Sequence, residues 1–201
     1  MKFLKKINTG LILTIIVVLA LVVYLVEVER QREDDKTEIR SACEEFIDVT
    51  DKYLVLPEEM QTLTGEVSEE AEKAYEQEAE EALKDIMVDN SEAVKIQHQF
   101  LVQALKRGYT DINEVRTKYE RNITKIASYE FEGNTVTVTF SSEVETEAKY
   151  LNYLNQEQTR AGSFSPSNDE IMLQKIDGEW KVTYANLQYD GYGNSISLDV
   201  Y

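Results

Sequence analysis

An α+β fold carried on a membrane-spanning helix is predicted by three features of this sequence. The first is Ile7 to Val26, 20 residues without a charge, preceded by Lys2, Lys5 and Lys6. The second is a series of apolar residues at three- and four-residue spacing between Ile39 and Tyr119. The third is the switch to two-residue alternation after Asn122, the change of period that separates helices from strands. The expected architecture is a set of helices packed on a curved antiparallel sheet of four to five strands.

The apolar run comes first. At 1.5 Å per residue a helix of this length is about 30 Å long, the thickness of a bilayer's hydrocarbon core. The lysines hold the N-terminus in the cytoplasm and leave the remaining residues outside the membrane. A cleavable signal peptide is the rival reading, but its apolar core is about 7–15 residues long and ends in an Ala-x-Ala pattern. Here the exit is Tyr24-Leu25-Val26-Glu27-Val28-Glu29-Arg30, with no small residue for a peptidase. Lipidation at Cys43 is rejected as well, because Arg40 stands where a lipoprotein site wants leucine. The domain plan is a basic tail at 1–6, a transmembrane helix at 7–28, a charged stalk at 29–37 and an extracytoplasmic domain at 38–201.

Such a domain is large enough to bury a core without disulfides or metals. With one cysteine in 201 residues no internal disulfide forms, and zinc sites built on cysteine pairs are excluded. Cys43 falls on the apolar face of its helix, as buried filler rather than a reactive thiol. Net charge is −17, unevenly spread: residues 27–90 carry 22 acidic and 7 basic side chains, residues 91–201 carry 16 and 11. Without clustered Lys and Arg, binding to nucleic acid, anionic lipid or anionic wall polymer is disfavoured. The acid reads first as a solvated face that keeps the domain soluble, and second as a docking surface for a basic partner.

Along the domain, Ile39, Ala42, Cys43, Phe46, Val49, Thr50 and Tyr53 mark an amphipathic helix that Pro57 ends. Glu58 to Val67 is a connection. Ser68 caps a second helix with Glu69, Glu70 and Glu72 in its first turn, and an inner stripe of Ala71, Ala74, Tyr75, Ala79, Ala82, Leu83 and Ile86. A third helix starts near Asn90 or Ser91 and is expected to stop at Gly108. A shorter helix, Asp111 to Arg121, presents Ile112, Val115 and Tyr119. Strands follow: Lys125 to Phe131, a Gly133-Asn134 turn, then Val136, Val138 and Phe140 in a strand that runs on past Val144 towards Tyr150 and needs a bend. Asn152 to Asn168 reads as an exposed loop. A second hairpin turns at Asp177-Gly178 between Glu170 to Ile176 and Glu179 to Leu187, with Trp180, Val182 and Tyr184 on the core face. Ile196, Leu198 and Val200 suggest a last edge strand.

The packing helices, the two hairpins and the run Asp177-Gly178-Glu179-Trp180-Lys181-Val182 resemble the nuclear transport factor two-like superfamily over residues 38–190. That resemblance implies a cone, a bent sheet wrapped around a long helix and often closing a pocket. The single-pass anchor is similar in layout to scaffold subunits of conjugation and type IV secretion machines, which carry such a domain outside the membrane. No residue of this chain maps onto the acid, histidine or tyrosine that enzymes of the superfamily place in their cavity.

Chemistry-bearing constellations are sparse. His98 is the only histidine and flanks an apolar stripe, so a structural role precedes one as base or ligand. Glu143, Glu145 and Glu147 alternate along a strand as an exposed polar face. Asp190-Gly191-Tyr192-Gly193-Asn194 is superficially like a calcium loop, but Tyr192 takes its third position and Tyr201 its twelfth. No catalytic residue, cofactor site or metal site is expected. Tyr150, Tyr153, Tyr184, Tyr189, Tyr192 and Tyr201 suit sheet packing, an interface or a cavity lining.

These observations point to a non-enzymatic, single-pass membrane protein whose outer domain binds other envelope proteins. Glu76, Glu80, Tyr150, Tyr153, Tyr189 and Tyr192 are the candidate contact surface. A homo-oligomer is a further partner class. The alternative function is a cone that holds a small apolar ligand as sensor or carrier, and an enzyme ranks third.

Overall fold

The computed structural model describes residues 9–61, 63, 67–89, 92–110, 114–189 and 195–197. They fall in two compact units, Met1–Ile39 and Arg40–Tyr201, and helix α1 (Thr9–Lys52) contributes to both. The charged stretch expected as a stalk is helical throughout.

In the first unit the apolar run is helical, and its large side chains from Leu11 to Val26 are 43–67% exposed. Burying a single leucine or isoleucine is worth about 1.5–3 kcal/mol. A row of them left facing outward therefore calls for a non-aqueous environment.

The second unit begins on α1, where Cys43, Phe46 and Ile47 are buried. Burial pushes the Cys43 thiol up to about 12, so it stays protonated and inert near neutral pH. After a short 3-10 turn at Glu58–Met60 comes α2 (Glu69–Ile86). The Ser68 side chain caps α2 by accepting a hydrogen bond from the Ala71 backbone N–H at 3.2 Å. Of the expected stripe, Ala79, Leu83 and Ile86 are buried, whereas Ala74 is exposed. Helix α3 is Glu92–Thr110. It does not stop at Gly108, since one interior glycine costs a helix only about 1 kcal/mol. The expected start at Asn90 or Ser91 lies outside the described residues.

Among the described residues six strands, against the four to five expected, form one antiparallel sheet: β1 (Glu114–Glu132), β2 (Thr135–Leu151), β3 (Glu157–Phe164), β4 (Asp169–Ile176), β5 (Glu179–Gln188) and the short β6 (Ser195–Ser197). The order is β1-β2-β4-β5-β6. The long β2 pairs with β1 on one side; on the other it pairs first with β4 and then with β3. Its buried positions alternate from Val136 through Val138, Phe140, Ser142 and Val144. Both two-residue turns are present, and Gly133, Asp177 and Gly178 take the positive φ that such turns demand.

Three expectations fail here. Asp111 to Arg121 is not a helix: from Glu114 onward it is the start of β1. Val115 and Tyr119 are both buried, but four-residue spacing suits two strand repeats as well as one helical turn. Ile112 lies outside the described residues. The stretch Asn152 to Asn168 is not all loop, because β3 runs through its middle with seven of eight residues exposed. A strand with both faces in water has no apolar alternation to reveal it. Asn152 closes this hairpin by accepting the N–H groups of Leu154 and Gln156 on its side-chain oxygen, at 2.9 and 3.0 Å.

Tyr184, finally, is not on the face of Trp180 and Val182. The β4–β5 register slips between Met172 and Leu173, so one extra residue, Thr183, enters β5. Beyond this bulge the buried positions become Ala185 and Leu187. Three similar slips along β1 leave Thr117, Thr124 and Ala127 unpaired. Such bulges bend a strand and increase its twist. Of the proposed last strand, Leu198 and Val200 lie outside the described residues.

Candidate functional site

Arg121 on β1 is the polar centre of the domain, and the sequence gives it no prominence. Strand alternation turns it inward with Tyr119, into a region where only 3% of its surface is exposed. A guanidinium cannot shed its charge, so burial obliges the fold to supply acceptors. Asp169 at the start of β4 is the ion-pair partner, and its side chain is 2% exposed. Arg121 Nη1 also donates to Ser142 Oγ at 3.3 Å, and that hydroxyl donates to Asp169 at 2.7 Å. Nη2 donates to the Tyr119 hydroxyl at 3.1 Å and to the Gln188 carbonyl at 2.6 Å. Asp169 accepts the Gln188 N–H at 2.9 Å, which completes a loop through β1, β2, β4 and β5.

A second carboxylate approaches from α1. Asp51 Oδ2 accepts the backbone N–H of Arg121 at 2.7 Å, and Asp51 is 5% exposed. On the other side the Tyr189 ring lies 5.5 Å from the guanidinium carbon and 4.6 Å from Phe100 of α3. Gln97 of α3 donates to the Tyr189 hydroxyl at 3.5 Å. Burial pushes the phenols of Tyr119 and Tyr189 up, the former to about 12. One guanidinium thus ties together one helix end, four strands and the aromatic contact to α3. With its members almost sealed from solvent, the cluster's chemistry is to fix how these elements meet.

The sequence contained one sign of it. Ile47, Asp51 and Leu54 share an i, i+4, i+7 stripe, and all three are buried. An acid inside an apolar stripe signals a buried partner. For Arg121, among charged neighbours, and Asp169, at the end of a polar loop, no such sign exists.

The candidate contact residues are scattered. Tyr189 packs inward as described. Glu76 is half-buried on α2, where its backbone carbonyl meets His98 Nε2 at 3.0 Å. His98 therefore links α3 to α2. Glu80 is partly exposed and pairs with Lys84 at 2.6 Å. Tyr150 donates to Gln158 Oε1 at 2.9 Å across β2 and β3. Tyr153 is 92% exposed beside Leu154 at the tip of that hairpin, and Tyr192 lies outside the described residues. Glu143, Glu145 and Glu147 are exposed, with Glu145 paired to Lys118 at 2.7 Å. Among the described residues no group of three or more His, Cys, Asp or Glu could hold a metal ion.

One groove of about 460 Å³ opens between the end of α1, the 3-10 turn and α2. Val55, Leu56, Pro57, Met60, Ala71 and Tyr75 line it, with the Lys52–Glu78 pair (2.7 Å) among its walls. The Tyr75 hydroxyl donates to the carbonyl of Val55 at 2.7 Å.

No protein-family model matches this chain, and no curated protein does either. Among solved structures, the chain is similar to the intermembrane space region of the chloroplast protein ARC6. Identity is 15%, the TM-score is 0.31, and the match covers 53% of this chain and 75% of that one. At that level the likeness bears on neither site nor activity.

The α1 segment from Gly10 is long and apolar enough to cross a membrane, and none of its most apolar window is buried inside the protein. It belongs to an α+β protein with two further helices and an antiparallel sheet.

Proposed function

We propose that this chain is a non-enzymatic, membrane-anchored module whose domain works outside the cytoplasm and binds other envelope proteins. The observation that carries the reading is the fully outward-facing apolar segment of α1 behind three lysines. Anchoring restricts the domain to the membrane surface, which raises its effective concentration for partners held there. The bulged sheet with its covering helices is compatible with the nuclear transport factor two-like resemblance, and the scaffold role follows from that resemblance and the anchor layout. The exposed Tyr153–Leu154 tip and the acidic face of α2 around Glu80 are the surfaces offered to partners.

Photo-crosslinking in cells from positions 153 and 80, followed by mass spectrometry of the membrane fraction, tests the reading. Recurrent adducts with the same membrane or secreted proteins are expected. A folded, abundant chain that yields no protein adduct from either position contradicts it. The second reading is a small apolar ligand, for which the groove beside Tyr75, walled by α1, the 3-10 turn and α2 rather than by the sheet of the expected cone, has a volume in the range of ligand pockets.

A further inference from the structure

The buried cluster holds two carboxylates and one guanidinium, and its hydrogen bonds are divided unequally. Asp169 takes the ion pair with Arg121, the Ser142 hydroxyl and the Gln188 N–H. Asp51 takes only a backbone N–H, through Oδ2. Its Oδ1 is buried and has no hydrogen-bond partner among the described residues; the same is true of Arg121 Nε. With the charge of the guanidinium matched by Asp169, an ionised Asp51 is a surplus negative charge in the interior. Such a charge costs several kcal/mol unless it is neutralised.

Among the described residues no second cation pairs with Asp51. From α1 the facing charge is Asp48, a like charge. From β1 come Arg121, Tyr119 and Arg116, and the Arg116 guanidinium lies 5.0 Å from the Tyr119 ring centroid. Asp169 faces the cluster from β4, and Tyr189 follows β5. Lys52, adjacent in the chain, is paired with Glu78. A proton is therefore the neutralising species.

We propose that Asp51 is a proton-binding site whose ionisation weakens the seating of the last turns of α1 on β1, so that the domain is more stable at acid than at alkaline pH. Desolvation by burial raises the carboxyl to about 7, against the opposing pull of Arg121. The unfolded value is about 3.9. Because the folded value is the higher one, Asp51's contribution to stability is complete below about pH 4 and is lost as pH rises through about 7.

The test is urea unfolding of the full chain in detergent micelles at pH 5 and pH 8, comparing wild type with Asp51→Asn, which copies the protonated form. The wild-type midpoint is expected to fall between pH 5 and pH 8 by more than that of the variant. Equal pH dependence in the two proteins overturns the proposal. Should Asp51→Asn not fold, carbon-13 titration of the aspartate carboxyls in the wild type decides. A midpoint near 7, assigned to Asp51 through its backbone connectivity, supports the proposal, and a midpoint for Asp51 below 5 overturns it.

Discussion

Replacing Arg121 by alanine is expected to destabilise the domain by about 3–5 kcal/mol, the usual effect of breaking a buried ion pair by removing one partner. The loss comes less from the attraction removed than from the Asp169 carboxylate left behind in the interior. Ser142, Tyr119 and the Gln188 carbonyl each lose a donor at the same time. Since whole-domain stabilities are about 5–15 kcal/mol, the loss removes a large fraction of the total and, at the low end of that range, all of it. Denaturant titration in micelles checks this, and the double variant Arg121→Met with Asp169→Leu gives the sharper comparison. Removing both charges leaves no carboxylate stranded at position 169, although Ser142 and Gln188 still lose their partners, so the pair of changes is expected to cost less than Arg121→Ala alone. A double variant at least as unstable as the single one sinks the ion-pair account. Loss of Arg121 as a scaffold for four strands then becomes the explanation.

Two arginines in the apolar segment should produce the second large effect. Val17 and Leu21 sit one helical turn apart near the middle of the run, 52% and 54% exposed. On insertion scales each central arginine costs about 2.5–3.5 kcal/mol, so Val17→Arg with Leu21→Arg opposes insertion by about 5–7 kcal/mol. The expected result is a shift of the chain from the carbonate-resistant membrane fraction to the soluble or degraded fraction. The same two changes made at Thr159 and Ser163, exposed positions of β3, should leave the distribution unaltered. A Val17→Arg, Leu21→Arg chain that stays in the membrane fraction rules out the segment as the anchor.

The legible parts of the fold share one property: their signal lies within a few residues. Ser68 and the glutamates after it announce the start of α2, and Asp177-Gly178 announces its hairpin because both residues tolerate positive φ. The alternation from Val136 to Phe140 reads directly as a half-buried strand. What was missed depends on contacts distant in sequence. β3 is a strand because β2 extends far enough to pair with it, from Val144↔Phe164 to Leu151↔Glu157. The N-terminal part of β1 is likewise fixed by its partners from Ala148 to Tyr150. The bulge at Thr183 turns Tyr184 away from the core, and no residue type marks a bulge of that kind.

The candidate site divides in the same way. Single residues such as Glu80 and Tyr153 could be chosen for exposure because their neighbours are polar or turn-forming. Tyr189 could not be placed, since what determines its position is Phe100, 89 residues earlier in the chain, and the Arg121 guanidinium. Three groups from α1, β1 and β4 make the buried cluster, at positions 51, 121 and 169. Arg121 stands among charged neighbours and Asp169 at the end of a polar loop, so composition conceals both, and only Asp51 is marked, by its apolar stripe.

The central claim is that α1 anchors the domain on the outer side of a membrane, and single-cysteine labelling tests it most directly. Cys43 is fully buried with its thiol held protonated, so the wild-type chain provides a silent background for a membrane-impermeant maleimide. Tyr153→Cys is expected to label in intact cells stripped of any outer layer, and Lys2→Cys only after the membrane is permeabilised. Labelling of Lys2→Cys in intact cells, with Tyr153→Cys protected until permeabilisation, would contradict the account.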